Sequence, residues 1–95
     1  MIEVYNNLAD VLVRDRRIKP RRVDIELHPR GENCAVIVRT TEYVAWFFPR
    51  SNIYECEVAL PPTVDIGKYR RQQLENFREK FPEAEVAAEI IEMVI

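Results

Sequence analysis

Six basic residues stand in the nine positions from Arg14 to Arg22 (Arg14, Arg16, Arg17, Lys19, Arg21 and Arg22), interrupted only by Asp15, Ile18 and Pro20. The chemistry of such a cluster is anion recognition, because guanidinium groups offer paired donors in a planar fork that matches phosphate oxygens. The chain carries a formal net charge of −2, so this positive charge is local. A local patch steers and holds a polyanion even where the net charge would not. Arg30, in the next turn, extends the cluster, and Lys68 and Arg71 on a later helix lengthen the footprint if the two sets share an edge. Two competing readings stand beside this one: a solvated arginine-rich loop partly paired to Asp15, Glu75 and Glu79, and a docking site for an acidic protein partner.

A second constellation is Asp24-x-Glu26-x-His28. Alternate side chains of a strand share a face about 6.6 Å apart, which would line up two carboxylates and an imidazole. Glu55 and Glu57 form a like row further on. If the two strands were neighbours, four carboxylates and a histidine would meet, a set suited to Mg²⁺ or Mn²⁺ and to a nuclease. Alternating polar residues are equally what any solvent-facing strand shows, and no strand pairs a carboxylate with a lysine at the next alternate position. The expectation is therefore no metal and no cofactor. Ser51 has no base nearby in sequence, and Cys34 and Cys56 have no CxxC spacing, so nucleophilic and zinc chemistry lack support. The two cysteines read as small buried residues, with a disulfide conceivable if their strands pair so that both point inward.

The elements that must position these groups follow from periodicity. Val4, Leu8, Val11 and Leu12 recur at helical spacing and predict an N-terminal helix that ends in the arginine cluster before Pro20. Val23, Ile25 and Leu27 alternate with Asp24, Glu26 and His28 as a strand. Pro29 to Asn33 is a turn in which Gly31 can supply a positive φ. Cys34 to Phe48 is β-rich, either one long strand or two hinged at Thr40 to Glu42. Pro49-Arg50-Ser51-Asn52 reads as a turn, and Ile53 to Leu60 as a strand stopped by Pro61-Pro62. Asp65 caps a second helix bearing Ile66, Tyr69, Leu74, Phe77 and Phe81 on one side and ending at Pro82. Residues 83–95 fit a strand better than a helix.

The sum is one α+β domain over residues 1–95: an N-terminal helix, an antiparallel sheet of three to four strands, a second helix, a C-terminal strand or helix, and a single layer of helices on the sheet. The central run is apolar on both strand faces, which predicts a second sheet face closed by the tail or buried in a homodimer, with Trp46 and Phe48 as interface residues. The element order resembles that of double-stranded-RNA-binding domains, whose second helix grips phosphates near its N-terminus, where Lys68, Arg70 and Arg71 stand here. The likeness is one of element order, since the small-residue and lysine pattern of that family is absent from Gly67 to Phe77.

No apolar run reaches the roughly 18 residues of a membrane span, and no signal-peptide pattern opens the chain, so the expectation is a cytoplasmic protein without membrane contact. Eleven of the fourteen basic residues are arginine, beside two glycines and one serine, a bias consistent with a GC-rich or thermophilic source. The expected function is a small non-enzymatic nucleic-acid-binding or nucleic-acid-associated accessory protein. The alternative is a protein–protein interaction module, an adaptor or inhibitor of the viral or plasmid-encoded kind. A metal-dependent nuclease is a distant third.

Overall fold

The computed structural model describes residues 19–44, 48–61 and 63–92. The predicted N-terminal helix, Arg14, Arg16, Arg17 and Trp46 lie outside the described residues. Four strands, β1 (Arg22–Arg30), β2 (Asn33–Val44), β3 (Phe48–Ala59) and β4 (Glu85–Ile90), form one sheet in the order β3-β2-β1-β4. One helix, α1 (Ile66–Lys80), connects β3 to β4. None of the described helices is long and apolar enough to cross a membrane.

β1 and β2 are joined by the two-residue turn Gly31-Glu32, and Gly31 sits at φ +61°, the left-handed region that a glycine enters without a Cβ penalty. Pro29 and Arg30 belong to β1 and Asn33 to β2, so the turn is shorter than the sequence implied. The larger correction concerns residues 49–52. They lie inside β3, opposite Tyr43 to Thr40 of β2, and β2 is one continuous strand through Thr40 to Glu42. The amide of Leu60 donates to the carbonyl of Glu32 at 2.8 Å, which sets the ladder so that even-numbered residues of β3 bond to β2. Odd-numbered residues then aim their backbone groups at the outer edge. Pro49 occupies one of those outward slots, where its missing N–H removes no ladder bond. The turn-like chemistry of Pro49 is edge-strand chemistry here.

The sheet is mixed, not antiparallel throughout. The expected C-terminal strand exists as β4, and it runs parallel to β1 with Arg22 opposite Glu85 and Leu27 opposite Ile90. The α1 crossover makes this possible, since it returns the chain to the end of the sheet where β1 begins. Because β4 extends the sheet, the described part of the tail does not close the second face.

One face of the sheet carries Val23, Ile25, Leu27, Cys34, Val36, Val38, Val58, Val86 and Ala88, all buried. α1 packs on the β4 side of this face and inserts Tyr69, Leu74 and Phe77. Its start is fixed by Asp65, whose Oδ1 accepts from the amides of Gly67 at 2.9 Å and Lys68 at 3.4 Å. Gln73 shares the inward stripe and is buried, a position the apolar pattern did not mark.

On the other face, Ala35 and Ile37 are half-buried and Ile53 is 55% exposed, and among the described residues no element covers it. Cys34 and Cys56 both point to the core, but the register sets Cys34 opposite Val58 and Cys56 opposite Val36. That diagonal placement leaves both thiols free.

Candidate nucleic-acid interface

The start of β1 is pinned on both sides. Arg21 donates its amide to the carbonyl of Thr41 at 2.8 Å, and its own carbonyl accepts from the amide of Glu85 at 2.9 Å. Lys19 donates its backbone N–H to Glu42 Oε2 at 3.3 Å. With the backbone held and Pro20 buried, the side chains of Lys19 and Arg21 are presented at the end of the sheet. α1 finishes at the same end, and the amide of Phe81 donates to the carbonyl of Phe77 at 2.8 Å. The rings of Phe77 and Phe81 stack at 6.3 Å between centroids, tying this corner to the core.

Between these segments lies an open cleft of about 770 Å³, lined by Lys19, Pro20, Arg21, Tyr43, Lys80, Phe81, Pro82, Glu83 and Ala84. Three cations thus meet one anion beside two aromatic and two proline residues. The volume lies within the range of about 300–1,000 Å³ usual for ligand pockets. Tyr43, 54% exposed, stands on the part of the β2–β3 hairpin that projects past the first residue of β1.

Among the described residues, the predicted basic residues do not form one surface. Lys19 and Arg21 line the cleft. Arg22 points to the uncovered sheet face, where its Nε donates to Asp24 at 2.9 Å and its Nη1 to Glu85 at 3.2 Å. The hydrogen bond donated to Asp24, then the charges of Asp24 and Glu85, push the pKa of Arg22 above the ordinary guanidinium range. Arg30 lies beside the Gly31 turn, at the far end of β1, about 26 Å away along an eight-step strand rise. Lys68 and Arg71 belong to the first turns of α1, at that same far end. The footprint expected to link them to the arginine cluster is split between opposite ends of the fold. Arg70 is engaged elsewhere, its Nε donating to the carbonyl of Ala88 at 2.8 Å.

The carboxylate constellation is dispersed too. β2 lies between β1 and β3, so Glu55 and Glu57 are two strand spacings, about 9.6 Å, from Glu26 and His28. The register places Ile37 between Glu26 and Glu55 and Ala35 between His28 and Glu57. His28 Nε2 lies 3.0 Å from Glu26 Oε1 and occupies that carboxylate. Among the described residues no group of three or more His, Cys, Asp or Glu is placed to hold a metal ion. With Asp24, Glu26, Glu55, Glu57, Glu85 and Glu89 on it, the uncovered face presents mostly negative charge, a poor surface for phosphate. Of the expected interface residues, Phe48 is 62% exposed near the hairpin tip.

Lys80, Tyr43 and Phe81 were not marked as site residues by sequence reasoning. The signal that finds them is direction counting: β1, β2, β3 and α1 alternate in direction, so the end of α1 must return to the start of β1. Comparison with protein-family models, with curated proteins and with solved structures found no match to the chain.

Proposed function

We propose that this chain is a non-enzymatic nucleic-acid-binding accessory protein that holds phosphates at the end of the sheet where β1 begins. The observation that carries the reading is the convergence of Lys19, Arg21 and Lys80 on one cleft, from segments about sixty residues apart. Arg14, Arg16 and Arg17 precede Lys19 by two to five positions in the chain and would add phosphate contacts. Such contacts fix a backbone without reading sequence, so binding is expected to be strong at low salt and indifferent to base order.

The test is a fluorescence-anisotropy titration of the intact chain with labelled single-stranded and duplex DNA and RNA at two salt concentrations. The variant Lys19→Gln/Arg21→Gln/Lys80→Gln should flatten the salt dependence by roughly 0.7 log unit of slope per lost single-strand contact, or about 0.9 per lost duplex contact. An unchanged slope would remove the cleft from the mechanism, and no binding at low salt to any strand would end the reading.

A second reading, a protein-docking module, is favoured by the uncovered sheet face, on which Ile53 of the edge strand β3 is exposed. Partner capture that is lost on Ile53→Arg would support it.

A further inference from the structure

We propose that the cleft takes an unpaired nucleotide of a single strand, with its base against Tyr43 and its phosphate among Lys19, Arg21 and Lys80. The inference rests on the nucleic-acid reading and names its substrate class.

Three observations favour a single strand over a duplex. The cations rim a concavity, whereas duplex phosphates ride on convex ridges with the bases stacked inside and out of reach. Tyr43, Phe81, Pro20 and Pro82 also line the cleft, residue types that a phosphate backbone alone has no use for. Aromatic faces beside cations are how proteins hold unstacked bases without reading their edges, because every base has a π-face. Finally, the residues that would grip a duplex by shape near the start of α1 are not available as one surface: Lys68 and Arg71 lie at the opposite end of the fold, and Arg70 is bonded to Ala88.

Within the cleft the roles divide. Phe81 is half-buried and stacked on Phe77, so it forms a fixed wall. Tyr43 is the exposed ring, carried on the projecting hairpin, and supplies the stacking face. Glu83, the single carboxylate in the lining, sits where it disfavours a second phosphate. One nucleotide per cleft is the arrangement this charge pattern fits.

The experiment uses the intact chain and four probes at one salt concentration: a mixed-sequence 12-nucleotide DNA single strand, the 12-base-pair duplex, a mononucleotide and inorganic polyphosphate. The single strand should bind about tenfold or more tightly than the duplex. Tyr43→Leu, which keeps apolar bulk without an aromatic face, should weaken the single strand about tenfold while leaving the salt slope and the polyphosphate affinity unchanged. Tyr43→Phe should stay within about twofold of the parent, and circular dichroism should show both variants folded. A duplex that binds as well as the strand overturns the inference, as does a Tyr43→Leu variant that binds normally. A mononucleotide as tight as the 12-mer overturns the strand as its source. In each of those cases the salt slope of the Lys19, Arg21 and Lys80 variant separately decides whether phosphate binding itself survives.

Discussion

Arg70 Nε donates to the carbonyl oxygen of Ala88 at 2.8 Å, so a side chain of α1 closes a backbone acceptor on the outer side of β4. The ladder explains why that acceptor is available. The amides of Glu85 and Ile91 donate to the carbonyls of Arg21 and Leu27, which assigns the odd-numbered residues of β4 to β1 and turns Ala88 outward. A charged side chain on the edge also discourages pairing with a foreign strand.

Arg70→Ala is therefore expected to lower stability by about 1.5–3 kcal/mol, the scale of a hydrogen bond with one charged partner. Urea unfolding should show the loss as a lower midpoint at an unchanged m-value. The salt dependence of nucleic-acid binding should not change, and a flatter slope would mean that Arg70 contacts phosphate after all.

Gln73 is 1% exposed, and among the described residues its Nε2 has no hydrogen-bond partner. A buried donor left without a partner costs on the order of 1–3 kcal/mol. Gln73→Met keeps the length of the side chain and removes the orphaned donor. The expected result is a gain of about 1 kcal/mol, or several degrees in Tm for a domain of this size. A loss on this substitution would show that Gln73 is satisfied in solution, by water or by another side chain.

Within the arginine cluster, neighbours are expected to differ. Arg22 already holds Asp24 and Glu85, whereas Arg21 lines the cleft. Arg21→Gln should remove close to one full contact from the salt slope, about 0.7 log unit on a single strand, and Arg22→Gln clearly less. Paired anisotropy titrations of the two variants read this directly. Equal slopes would mean that a bound strand breaks the Arg22 pairs.

Burial pushes the thiols of Cys34 and Cys56 above the ordinary cysteine pKa. As pH rises past about 8.5, the unfolded chain loses thiol protons that the folded chain retains, so stability falls across the window from the ordinary pKa to the raised one. Below that window the contribution is fully present. Urea midpoints measured in reducing buffer at pH 8 and pH 9.5 should drop more steeply for the parent than for Cys34→Ala/Cys56→Ala. Parallel curves would show that neither thiol is shifted. Iodoacetamide should modify Cys34 only on unfolding.

Local patterns carried most of the fold. Val23, Ile25 and Leu27 gave β1, Gly31 marked its turn, and Asp65 marked the start of α1, because each is decided by contacts within a few residues. The parallel pairing of β4 was not legible, since Val86, Ala88 and Ile90 alternate the same way in either direction. Pro49 misled for a related reason: its chemistry suits a turn or an outward slot, and only the register distinguishes them. The site was half legible. Lys19 and Arg21 stood out as sequence neighbours, whereas Tyr43 and Lys80 join them only through the return path of α1. Arg30, Lys68 and Arg71 were grouped with the cluster by charge, although strand and helix length carry them to the other end.

β1 is flanked by partners that reach it at very different moments of the chain's synthesis. Arg30 meets Asn33 across two residues, so β1 and β2 can zip together as soon as they leave the ribosome. Arg22 and Glu85, by contrast, are separated by 63 residues. Until the later segment arrives, one side of β1 stays exposed and able to capture any extended chain nearby. The pairing that completes β1 thus has to wait for the whole of β3 and α1, and the longer that wait, the longer an open strand edge is on offer to other chains.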